Sequence, residues 1–106
     1  MVEDFLKLIR EKATQKILFL PHAVRQMSNA NRMISTLEIR QVIFEGEIIE
    51  DYPEDARGHS CLMLKDNTNR LIHVVCTPKD EYLAIITAYI PDEKQWSVDY
   101  KTRRKK

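Results

Sequence analysis

Two groups of side chains have types and spacings that could do chemistry. In the segment FLPHAVRQM, His22, Arg25 and Gln26 fall at i, i+3 and i+4, so on a helix they share one face. Far along the chain, His73, Thr87 and Tyr89 lie in two apolar runs, LIHVVC and YLAIITAYI, and a hairpin register could set them on one face of a sheet. An imidazole with an ordinary pKa of about 6.5 can give or take a proton at neutral pH. A guanidinium beside it can stabilise charge developing on a phosphate. Together these groups resemble the kit for cleaving RNA without a metal. That reaction needs a base for the 2′-hydroxyl proton, a cation for the crowded phosphorane and an acid for the departing 5′-oxygen. Each residue also has a plain structural reading. His22 can sit at a helix start with its ring on the preceding strand, and His73, between Ile72 and Val74, can be a satisfied core histidine. Tyr89 can bury its ring and bond its hydroxyl to backbone.

Other chemistries are poorly served. With only Gly46 and Gly58 there is no phosphate-cradling glycine loop, and no GxSxG nucleophile motif occurs. His22, His59, His73, Cys61 and Cys76 stand singly, without the paired spacings of zinc sites, so neither a metal nor another cofactor is expected.

The elements that must position these residues read as helices first and strands after. Residues 2–13 form an amphipathic helix with Phe5, Leu8 and Ile9 on one face. The run KILFL (16–20) is too short to tell strand from helix entry. Pro21 suits the first turn of a second helix reaching about residue 30, with 29–32 as a loop. STLE (35–38) is a capping box, Ile39, Val42 and Ile43 form a helical stripe, and Gly46 stands where a left-handed cap would end that helix. Strands follow at 47–53, 60–64, 71–76 and 82–90, joined by links at 65–70 and 77–81. Links this short suit antiparallel hairpins. The predicted fold class is α+β, with N-terminal helices packed on a four- to five-stranded antiparallel sheet.

Parity sharpens this. Pairing Cys76 with Tyr82 puts His73 on the side of Ile85, Thr87 and Tyr89. Pairing Lys65 with Leu71 puts Cys61 on that side and Cys76 on the other, so the cysteines are not expected to meet. A slip of one residue would reverse either statement. Free thiols in a reducing compartment are expected.

The 106 residues suit one domain, an N-terminal helix (1–15), a core (16–100) and a basic tail (101–106), and 43% apolar residues suffice for its core. No apolar run approaches the roughly 20 residues of a membrane span, and the N-terminus lacks the apolar region of a secretory signal. A cytoplasmic protein is expected. The tail KTRRKK carries 5 of the 17 basic residues, leaving 12 against 16 acidic, or −4, in the first hundred. Such a tail can hold phosphates or fray into solvent.

Taken in order, FLPHAVRQMSNANRMIS, VIFEGEIIEDYPED, CLML, LIHVVCTPKDEYLAIITAYIPDEKQW and the closing Arg103-Arg104 resemble the family of domain of unknown function 4258, over roughly residues 19–104. Members of that family are similar to small RelE- and MqsR-like toxins of the barnase, EndoU, colicin and RelE ribonuclease superfamily. The resemblance implies helices on a four- or five-stranded antiparallel sheet and a metal-independent endoribonuclease that leaves 2′,3′-cyclic phosphate ends. It implies RNA as a partner, messenger or ribosome-associated, together with a cognate antitoxin protein; homodimerisation stays open and no membrane partner is implied. Carried over by position, the family's polar motif residues fall on His22, Arg25, His73, Thr87 and Tyr89, the expected catalytic set, with Arg103 at the tail; Arg32, Arg103 and Arg104 are the residues expected to hold RNA phosphates. Here Gln26 splits the family's arginine–methionine pair, a change of about 100° around a helix, and Arg32-Met33 supplies a second pair, so the cationic role stays open between Arg25 and Arg32. The alternative is a non-enzymatic protein-binding domain of the same fold, docking through the sheet face or the acidic 45–55 segment.

Overall fold

A computed structural model describes residues 2–30, 33–66 and 70–104. The element order is α1 (Val2–Gln15), β1 (Ile17–Phe19), α2 (Pro21–Met27), α3 (Thr36–Glu45), β2 (Glu47–Tyr52), β3 (Ser60–Asp66), β4 (Leu71–Pro78) and β5 (Leu83–Tyr89). The fold is α+β, but the sheet is mixed and not antiparallel as expected. Its order is β1-β5-β4-β3-β2, and β1 runs parallel to β5 with Ile17 opposite Leu83. The short links from β2 to β5 do give antiparallel pairs. A three-residue strand whose partner lies more than sixty residues away leaves no such local signal.

One face of the sheet is covered by the helices. Phe5, Ile9 and Ala13, spaced by four on α1, meet Ile39, Val42 and Ile43 of α3 over Cys61, Met63, Val74, Cys76 and Ile85. Leu8, on the predicted stripe, is instead exposed at its rim. Arg10 fastens the two helices: its Nε and Nη2 donate to the carbonyls of Ile43 and Gly46, at 2.9 and 2.8 Å. Those carbonyls lie at the end of α3, where helical partners run out.

The capping box of α3 is present. Ser35 Oγ accepts from the Glu38 amide and Glu38 Oε1 accepts from the Ser35 amide. Glu38 also takes both arms of Arg70, at 2.9 and 2.8 Å. Its carboxyl is held down at about 2, the Arg70 hydrogen bond being the largest cause. At the other end the structure corrects the sequence reading: Gly46 is extended (φ −89°, ψ −166°), not left-handed. Its need for glycine is steric, since a Cβ there would lie 2.5 Å from the Val42 oxygen and 2.6 Å from the Leu64 oxygen. Helix α2 stops at Met27, three residues short of the predicted end. There the chain turns back, Met33 adopts φ 47°, and the Ile34 amide bonds the Met27 carbonyl at 2.9 Å.

Candidate active site

Two β-bulges decide which side chains reach the other face of the sheet. In β2 the pairing shifts between Ile48, opposite Met63, and Glu50, opposite Leu62. The extra residue, Ile49, turns Glu50 and Tyr52 away from the helix-covered core. In β5, Cys76 pairs with Ile85 but Val75 with Thr87, so the extra Ile86 turns Thr87 and Tyr89 the same way. The result is two cross-strand rows on one face, Glu50–Leu62–Val75–Thr87 and Leu64–His73–Tyr89. Without the bulges, period-two alternation would drive the Glu50/Tyr52 and Thr87/Tyr89 pairs into the apolar core. His73, Thr87 and Tyr89 thus share a face, though not through the assumed register. Ile85, predicted beside them, faces the core.

A C-terminal strap covers this face. Beyond β5 the Gln95 and Trp96 amides bond the Asp92 carbonyl, and Trp96 forms an antiparallel bridge with Arg103. The Ser97 amide bonds the Thr102 carbonyl and the Arg104 amide the Gln95 carbonyl, both at 2.8 Å. The tail is therefore tied down as far as Arg104. Trp96 is 2% exposed, and its ring meets His73 edge-on with centroids 4.5 Å apart. At the strap's turn Tyr100 takes φ 62°, and its carbonyl lies 2.9 Å from His73 Nε2.

That contact fixes the histidine tautomer. A carbonyl can only accept, so Nε2 carries the proton, and Nδ1 accepts from the Tyr89 hydroxyl at 3.2 Å. Burial lowers the His73 pKa, against the opposing pull of the Tyr100 carbonyl and Glu50. The ring is neutral, fully buried and satisfied at both nitrogens. Burial also raises Tyr89, which keeps its proton at neutral pH.

Beside this pair sits a charged cluster. Arg103 donates from Nε and Nη2 to the two oxygens of Glu50, at 2.9 and 3.1 Å, and lies 4.7 Å over the Trp96 ring. The Tyr52 hydroxyl donates to the same carboxylate. Burial pushes Glu50 up, but hydrogen bonds from Arg103 and Tyr52 outweigh it and leave the carboxyl below its ordinary range. Tyr52 is pushed up to about 12 by burial and by Glu50. The hydrogen bond to Glu50 raises Arg103 further. A guanidinium has five N–H donors, and the Glu50 fork takes two of them.

A cavity of about 460 Å³ opens where α2 meets this face, and His22, Gln26, Thr87, Tyr89, Trp96 and Arg103 line it, with Asp92 at its side. The exposed His22 is brought there by α2, which packs on β5. The predicted residues therefore divide. His22, Thr87, Tyr89 and Arg103 share the cavity, and His73 lies behind Tyr89 as its hydrogen-bond partner. Arg25 is exposed but does not line the cavity. Arg104 turns its Nε to the Glu93 carbonyl at 2.8 Å. Arg32 lies outside the described residues.

Sequence reasoning missed Glu50, Tyr52 and Tyr100. The first two stand at i and i+2 in EIIEDYP, a spacing that marks one strand face, but in the sequence they are indistinguishable from the rest of the acidic 45–55 segment. Much of that segment is paired with side chains elsewhere in the chain, through Lys65–Glu45 at 3.5 Å, Lys101–Glu47 at 3.2 Å, Arg103–Glu50, and His59 with Asp51 at 2.6 Å. Among the described residues, no group of three or more histidine, cysteine or acidic side chains is placed to hold a metal ion. Nor is any helix among them long and apolar enough to cross a membrane.

The fold and site define a small α+β protein with a polar cavity between a helix and a strap-covered sheet face. By sequence it belongs to the family described as a domain of unknown function, DUF4258, whose profile matches residues 19–90. No curated protein and no solved structure matches it.

Proposed function

We propose that the protein is a metal-independent endoribonuclease of toxin–antitoxin type with a RelE-like fold, cleaving RNA by attack of a 2′-hydroxyl on the adjacent phosphorus. One observation carries this reading: His22, Tyr89 and Arg103, remote in sequence, line one cavity. Arg103 is oriented by Glu50 and keeps N–H donors for a phosphate as negative charge grows on it. The Tyr89–His73 pair acts as the base. Tyr89 oxygen takes the 2′-hydroxyl proton while its own proton passes to His73 Nδ1, already its acceptor. Burial disfavours the imidazolium formed at His73, and the Tyr100 carbonyl and the Glu50 charge partly offset that cost. His22, at the solvent side, gives a proton to the leaving 5′-oxygen, and the product is a 2′,3′-cyclic phosphate. His73 in this scheme works through Tyr89 and touches no substrate. Thr87 supplies a further hydroxyl to orient the phosphate. RNA is the substrate partner, and a cognate antitoxin would restrain the activity.

The test is incubation of purified protein with RNA in excess EDTA. Cyclic-phosphate ends are expected, with His22→Ala reducing the rate by about 100-fold or more; equal rates in both proteins would remove the assignment.

A second reading, a non-enzymatic protein-binding domain, is favoured by one observation: Arg103 is already paired with Glu50. Expression separates the two. A nuclease toxin arrests growth unless its antitoxin is co-expressed, and a binding domain does not.

A further inference from the structure

Contrary to the parity reading, Cys61 and Cys76 meet. The register of β3 and β4 is one residue from the assumed one, Lys65 facing Ile72 and not Leu71, and this makes the two cysteines direct cross-strand partners. Their sulfurs are 4.0 Å apart, both residues are free thiols, and both are fully buried. Met63 Sδ lies 3.9 Å from Cys76 Sγ on the same apolar face. The proposed nuclease site uses neither thiol.

We propose that Cys61 and Cys76 are a redox modification site, converted in the folded protein to a cross-strand disulfide by a two-electron oxidant of the peroxide class. A disulfide requires Cβ atoms about 3.5–4.5 Å apart, a separation that directly opposed strand residues approach. One thiol, as its thiolate, attacks the peroxide O–O bond, giving a sulfenic acid and water. The other thiol attacks that sulfur and expels a second water. Overall, two thiols and one hydrogen peroxide give one disulfide and two waters, the sulfurs being oxidised and the peroxide oxygens reduced. The product is neutral, as its apolar surroundings among Met63, Val74 and Ile85 demand, whereas a metal dithiolate would leave charge there. The hydrogen bond with Cys61 and burial hold the Cys76 thiol well above its ordinary range, so the reaction waits on opening of the helix layer and is slow. The bond closes the β3–β4 hairpin and fixes β4 beside its shift at Val75/Cys76.

Folded protein is treated separately with hydrogen peroxide and with diamide, an azo oxidant that takes up the two hydrogens itself. Remaining thiols are then alkylated under denaturing conditions. Expected are a mass loss of two hydrogens, a linked Cys61–Cys76 peptide and a Tm raised by about 10 °C. Dithiothreitol should reverse all three, and Cys61→Ser should lack them. Two alkylatable thiols after both treatments would overturn the proposal. So would sulfinic or sulfonic acid as the only cysteine products, or a linked protein that has lost cooperative unfolding.

Discussion

The two faces of the sheet are built from the same strands and held by different means. The helix-covered face is sealed by aliphatic side chains, with Ile9, Ile39, Ile43, Met63 and Val74 fully buried. The opposite face, under an irregular strap, collects His73, Glu50, Tyr52 and Tyr89, and each of these four side chains has a named partner. Stability on the first face comes from area removed from water and close packing. On the second it comes from hydrogen bonds whose net worth is modest but whose loss is expensive. A polar cluster of this kind can be oriented without being rigidly enclosed, and it borders the cavity.

The largest expected effect tests the apolar side. Ile43→Ala removes a fully buried side chain from the α3 stripe and should destabilise the fold by about 3–4 kcal/mol in urea unfolding. A loss under 1 kcal/mol would mean that the helix layer does not bear on the core as described. Next comes the polar side. His73→Ala strands the Tyr100 carbonyl and the Tyr89 hydroxyl and should cost about 2–3 kcal/mol. Tyr89→Phe removes a single bond and should cost about 1 kcal/mol. If the histidine variant were no worse than Tyr89→Phe, the histidine would not organise this face.

The pH dependence sharpens the contrast further. His73 is depressed in the fold, so below its ordinary value of 6.5 the unfolded chain binds a proton that the folded chain resists. Its stabilising contribution is full above that pH and falls as pH drops below it. Glu38 is held at about 2 against an ordinary 4.5, so its contribution is lost in a separate, lower window as pH falls from 4.5 toward 2. Urea titrations at stepped pH should show a first decline beginning near pH 6.5 that His73→Ala removes. A decline unchanged in that variant would assign the first step to another group.

The legible parts of this chain were those with short-range signals. The capping box at Ser35 and Glu38 is a local hydrogen-bond pattern, and the strands of β2 to β5 announce themselves by composition and short links. What stayed hidden depends on distant partners or on single inserted residues. β1 needs β5 to be a strand at all. Ile49 and Ile86 look like any apolar strand residue, yet each reverses the facing of two site residues, and a one-residue register error placed Cys61 and Cys76 on opposite faces. The grouping of His22 with Arg103 was not readable from spacing, because it depends on where α2 and the strap each lie against the sheet.

The central claim, that His22 and Arg103 serve one reacting centre, is tested most directly by a double-mutant cycle on RNA cleavage in EDTA. Rates are measured for the wild type, His22→Ala, Arg103→Ala and the double variant. Groups acting as a unit are not additive, so the double variant should be no slower than the worse single variant, within about threefold. Losses that multiply independently, or single variants as fast as the wild type, would contradict the account.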